Sequence, residues 1–76
     1  MAVYSATLKN DKIQFAQKLV QLTSTLEGKV YVKKDGYVVD GKSILGLLSL
    51  GGLTGAILQC ENPTKEFVED LFEINR

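Results

Sequence analysis

A chain of 76 residues with 45% hydrophobic content is long enough for one domain, expected to span residues 1–76, with a single thin core. Nine basic and nine acidic residues cancel, which argues against nucleic acid as the main partner, since phosphate binding requires a basic surplus or stripe. No apolar run approaches the ~20 residues of a membrane span, the N-terminus lacks the order of a signal peptide, and Cys60 is the single cysteine, so we expect a cytoplasmic protein without membrane contact.

The first third of the chain predicts a strand followed by a helix. Residues from Ala2 to Leu8 alternate weakly and favour a strand. Asn10 and Asp11 then offer a helix N-cap. The apolar residues that follow at or near helical spacing are Ile13, Phe15, Ala16, Leu19, Val20, Leu22 and Leu26. Gly28 is expected to end this helix, as glycine does just past a C-cap.

The next segment predicts a β-hairpin. Lys29 to Lys34 alternates between polar and apolar residues, and Tyr37 to Val39 is a second strand candidate. Asp35 and Gly36 lie between these runs. Asp-Gly suits a type I′ turn, because both of its central residues need a positive φ.

The end of the chain predicts a fourth strand and a last helix. Ala56 to Cys60 is apolar enough to form a central strand. Asn62 is the expected N-cap of the last helix, with Pro63 in its first position. The expected buried side of this helix consists of Phe67, Val68, Leu71, Phe72 and Ile74.

Between the hairpin and the fourth strand lies the most apolar stretch, GKSILGLLSLGG, from Gly41 to Gly52. Its length between glycines predicts a short helix at an edge of the fold, with Ser43 as its N-cap. The element order is therefore β-α-β-β-α-β-α. This order predicts an α+β open-faced sandwich, in which a four-stranded antiparallel sheet carries its helices on one face.

This order and one sequence motif resemble the HPr family, the histidine-containing phosphocarriers of the bacterial sugar phosphotransferase system. The motif is KSILGLLSLG, from Lys42 to Gly51, and it is similar to the family's regulatory serine segment. Asp35-Gly36 and Gly55 also fall where the family has a turn and a glycine. The resemblance implies that Ser43 corresponds to a serine that an ATP-dependent kinase phosphorylates.

The same resemblance implies a changed phosphocarrier site. When the family's pattern is aligned without gaps from Ser43, its phosphorylated histidine falls on Lys12, its arginine on Gln14 and its proline on Phe15. The chain contains no histidine, and a protonated lysine is a poor nucleophile. We therefore expect no phosphocarrier chemistry. Lys12 and Gln14 are either solvated surface residues or bind an anion at the helix N-terminus.

Two interpretations stay open for the leucine-rich helix. Ser43 either only caps the helix or is also a phosphorylation switch. The same backbone N–H groups at the helix start can bind its hydroxyl or a phosphate. Its apolar residues either pack inside the fold or in a dimer, or they contact a partner. The candidate partner-binding residues are Ile44, Leu47 and Leu48.

Three functional hypotheses follow, and in none of them is the protein an enzyme. The first is a regulatory binding protein controlled at Ser43, and the second is a component that contacts phosphotransferase-system enzymes without carrying phosphate. The third is a structural or assembly domain that retains only the fold. Expected partners are proteins, such as a kinase acting on Ser43, with the chain itself a monomer or weak dimer. No cofactor or metal is expected.

Overall fold

The computed structural model describes residues 3–76, and within them it has the predicted order of seven elements. The strands are β1 (Tyr4–Thr7), β2 (Val30–Lys34), β3 (Tyr37–Asp40) and β4 (Ile57–Cys60). The helices are α1 (Ile13–Thr23), α2 (Ile44–Leu48) and α3 (Lys65–Ile74). Of the predicted first strand, Ala2 lies outside the described residues. No helix in residues 3–76 has both the length and the apolar character needed to cross a membrane.

The four strands form one antiparallel sheet in the order β1-β4-β2-β3. The apolar strand β4 is central, as predicted, because Cys60 lies opposite Tyr4 of β1 on one side and opposite Val30 of β2 on the other. Alternate residues of β2 face opposite sides of the sheet. Val30 and Val32 are therefore buried while Tyr31 is exposed.

The hairpin between β2 and β3 has the predicted turn. Asp35 has a φ of 51° and Gly36 a φ of 84°, so both central residues lie in the left-handed region that a type I′ turn requires. The short helix α2 then returns across the edge strand β3. A Cβ on Gly46 would lie 3.3 Å from Val39 Cβ, so glycine permits this close approach. The predicted edge position of α2 is confirmed.

Helix α1 buries Phe15, Ala16 and Leu19, as its apolar spacing predicts. It ends at Thr23, however, and the expected end at Gly28 is wrong. After Thr23 the backbone tightens, because the N–H of Thr25 bonds to Leu22 O at 3.2 Å and that of Leu26 to Thr23 O at 3.0 Å, three residues back instead of four.

Helix α3 begins later than the sequence predicts. Its N-cap is Thr64, whose hydroxyl accepts the N–H of Phe67 at 3.0 Å, so the assignment of Asn62 as N-cap and Pro63 as first helical residue is wrong. Asn62 instead donates to Glu27 O at 3.5 Å. Phe72, expected on the buried side, is 73% exposed, because it lies about 140° around the helix from Phe67.

Candidate functional site

Lys12 is the N-cap residue of α1, with φ −70° and ψ 145°, and its exposed side chain makes no capping hydrogen bond. Its carbonyl oxygen accepts the N–H groups of Phe15 at 3.0 Å and Ala16 at 3.2 Å. The expectation that Asn10 or Asp11 is the N-cap is therefore wrong. The position where the resemblance places the phosphorylated histidine is nevertheless at the start of the helix.

The two residues before Lys12 have other partners. Asn10 Oδ1 accepts the N–H of Lys12 at 2.9 Å, and its amide donates to the carbonyl of Arg76 at 3.3 Å. Asp11 Oδ1 accepts the N–H of Thr54 at 2.6 Å. This backbone hydrogen bond, followed by one from the Thr54 side chain, lowers the pKa of Asp11. The segment that leads into α1 is thus tied to two distant parts of the chain.

The other two positions of the changed site differ from each other. Gln14 is exposed, whereas Phe15 is only 3% exposed and belongs to the core. Both residues line a polar cleft between the start of α1 and the end of α3, together with Asn10, Lys12, Lys18, Glu73 and Ile74. The structure brings all three positions to one cleft, but the side chain of Phe15 is buried beneath it.

Ser43 caps α2, as predicted. It has an extended backbone, with φ −110° and ψ 117°, and its Oγ accepts the N–H of Gly46 at 3.1 Å. The side chain of Lys42 is directed elsewhere, because its Nζ donates to the carbonyl of Leu26 at 2.6 Å. In this conformation the ammonium group next to Ser43 in sequence is already bound.

The apolar side chains of α2 divide between the core and the surface. Leu47 is 1% exposed and packs in the core, so its assignment as a partner-binding residue is wrong. Ile44 packs half-buried against the core. Leu45 and Leu48 are 78% and 46% exposed, and they lie on the same side of the helix because they are three residues apart.

Ile13, the first residue of α1, extends this exposed area. It is 61% exposed and lines one cleft with Leu48, between the start of α1 and the end of α2. We call Ile13, Leu45 and Leu48 the apolar surface. Neither Leu45 nor Ile13 is among the partner-binding residues predicted from the sequence. The position of Ile13 could have been inferred, because it lies about 200° around the helix from Phe15.

The remaining reactive side chains lie away from this surface. Cys60 is 2% exposed, and burial raises the pKa of its thiol. Burial, and then the nearby Cys60, also raise the pKa of Tyr4, whose ring packs edge-on against Phe67 at 6.3 Å between ring centroids. Residues 3–76 contain no group of three or more histidine, cysteine or acidic side chains placed to hold a metal ion.

Comparison with known proteins identifies the family. The sequence model of the PTS HPr component phosphorylation site matches residues 12–71, so the chain belongs to the HPr family. A comparison with curated proteins gives no significant match. The resemblance to this family is thus confirmed over residues 12–71.

Solved structures show the same fold. Phosphocarrier protein HPr from Bacillus anthracis str. Ames is 24% identical, covers 100% of both chains and superposes with a TM-score of 0.71. HPr-C-His from Thermoanaerobacter tengcongensis is 26% identical over 99% of this chain and 91% of its own, with a TM-score of 0.70. The histidine-containing phosphocarrier protein of Mycoplasma is 18% identical over 96% and 86%, with a TM-score of 0.60. The predicted open-faced α+β fold is confirmed.

Proposed function

We propose that this HPr-family chain binds protein partners of the phosphotransferase system without carrying phosphate, and that it is not itself an enzyme. One observation supports this most directly. Lys12 occupies the N-cap of α1 in a chain without histidine. The α2 segment nevertheless has Ser43 as its capping residue and has exposed leucines. A role with these partners would place the protein in the cytoplasm.

The chemistry of the N-cap position argues against phosphoryl transfer. The family's histidine offers a neutral ring nitrogen, whereas a protonated lysine has no lone pair with which to attack phosphorus. Gln14, at the family's arginine, provides no positive charge for a phosphoryl group. Without the family's histidine and arginine, the start of α1 can still contact a partner protein that binds members of this family.

The apolar surface supports the binding role. Leu45 and Leu48 are exposed on one side of α2, and Ile13 shares a cleft with Leu48. Exposed apolar side chains from two helices bury surface in a complex and contribute to its affinity. The resemblance implies that the helix equivalent to α2 helps to bind partner proteins.

Ser43 is the proposed control point. A phosphate on Oγ would lie at the start of α2, where Gly46 N–H already donates to that oxygen. Backbone N–H groups and the positive end of a helix favour a negative charge there. Phosphorylation would then add charge close to the apolar surface without removing a buried contact.

Binding can be tested by titrating a bacterial enzyme I into the protein and measuring the dissociation constant by calorimetry. We expect Leu45→Ala and Leu48→Ala each to weaken binding about tenfold. Phe72→Ala is the matched control, because Phe72 is also exposed, at 73%, but lies on α3. No binding, or equal losses for all three variants, would contradict the proposal.

Two further measurements examine phosphate chemistry. Incubation with phosphoenolpyruvate and enzyme I should add no phosphate to this protein while it labels an intact HPr in the same tube. Incubation with ATP and a bacterial HPr kinase should add one phosphate that Ser43→Ala abolishes, as measured by intact mass and peptide mapping. If the kinase modifies only the intact HPr, Ser43 acts as a helix cap for that kinase and the control step is wrong.

A further inference from the structure

A contact between two loops connects the start of α1 to the segment after α2. Asp11 Oδ1 accepts the N–H of Thr54 at 2.6 Å, although the two residues are 43 positions apart. Hydrogen bonds to an ionised acceptor are stronger than those between neutral groups. We call this contact the Asp11 latch. Backbone hydrogen bonds of Leu8 with Gly55 and Ala56 join the same two loops next to the sheet, and the Asp11 latch adds a side-chain contact close to α1.

The loop after α2, which contains Gly52 and Thr54, leaves space for the Asp11 carboxylate. Gly52 has a φ of +137°, and a Cβ at this position would lie 3.1 Å from Asp11 Oδ1. The carboxylate therefore occupies space that a side chain would need. The ammonium group of Lys34, at the end of β2, donates to the carbonyl of Gly52 at 2.7 Å. The loop is thus held from both α1 and the hairpin.

The latch stands at one border of the cleft that connects the two parts of the apolar surface. Asp11 and Gly52 line this cleft together with Ile13 and Leu48. Leu53, which lies between Gly52 and Thr54, is 3% exposed and packs in the core. The contact between Asp11 and the loop after α2 therefore lies in the wall of the cleft that Ile13 and Leu48 line.

We propose that Asp11 is a positioning residue whose contact with Thr54 fixes the width of this cleft and so holds Ile13 and Leu48 in one binding surface. Its effect on affinity rests on the proposed function, but its effect on the cleft does not. Asp11 acts through the loop and need not touch a partner. The carboxylate extends the contact between the two loops from the backbone hydrogen bonds of Leu8 to the start of α1.

Hydrogen exchange measured by NMR tests the latch without a partner. We expect the amide of Thr54 to exchange about tenfold faster in Asp11→Ala, with a smaller increase in Asp11→Asn, which keeps the shape but loses the charge. Asp40→Ala is the matched control. Asp40 is also exposed and accepts one backbone N–H, that of Lys42 at 2.9 Å, but this contact spans only two residues.

The two readouts separate the latch from the proposed function. Unchanged exchange at Thr54 in Asp11→Ala overturns the latch, whatever happens to binding. Faster exchange at Thr54 with unchanged exchange in the core strands supports it. If wild type binds enzyme I, Asp11→Ala should weaken binding about threefold to tenfold while Asp40→Ala does not, and equal affinities would overturn the positioning role. If wild type does not bind, the proposed function fails and the exchange data alone decide about the latch.

Discussion

Leu47 and Leu45 lie two residues apart on one short helix, and the structure predicts opposite consequences for their replacement by alanine. Leu47 is 1% exposed, so Leu47→Ala removes three buried carbons, worth about 0.8 kcal/mol each. With the cavity that remains, the expected loss in the free energy of unfolding is about 3 kcal/mol. Leu45 is 78% exposed, so the same change should cost about 0.5 kcal/mol or less.

Urea unfolding followed by far-UV circular dichroism measures both variants, because the chain has no tryptophan to report by fluorescence. With a slope of about 1 kcal/mol per M for a domain of this size, the Leu47→Ala midpoint should fall by about 3 M. That loss is a large share of the about 4–11 kcal/mol expected for the whole chain. Similar midpoints for the two variants, or a larger loss for Leu45→Ala, would refute the assignment of Leu47 to the core and Leu45 to the surface.

Three further predictions concern single side chains. Ser43→Ala removes the cap of α2 and should cost about 1 kcal/mol in urea unfolding, whereas Ser49→Ala, at the other end of that helix, should cost less than about 0.5 kcal/mol. The thiol of Cys60 should react with Ellman's reagent on the order of 100-fold more slowly in the folded protein than in urea, since it is buried and its pKa is raised; equal rates would contradict its burial. Because the folded-state pKa of Asp11 lies below its unfolded value of about 3.9, its stabilising contribution should be present above about pH 4 and disappear as the pH falls through the folded pKa, so the unfolding midpoints of wild type and Asp11→Ala should converge in acid.

The position that corresponds to the family's histidine could be predicted from the sequence only through alignment with the Ser43 motif. Lys12, on which the resemblance places the family's histidine, is the N-cap residue that precedes α1. The hydrogen-bond partners of the two residues before Lys12 could not be predicted in the same way. Asn10 and Asp11 are both good capping types, but the structure directs Asp11 to Thr54, which is distant in sequence.

The order of the seven elements, the I′ turn at Asp35-Gly36 and the cap at Ser43 could all be predicted from the sequence. Each of these depends on contacts within about four residues, such as the 3.1 Å hydrogen bond from Gly46 N–H to Ser43 Oγ. Three other features depend on tertiary contacts: which leucine of α2 is buried, where α3 begins, and what Asp11 binds. Each of those choices lies between neighbours of similar chemistry, and packing against residues far along the chain selects one of them.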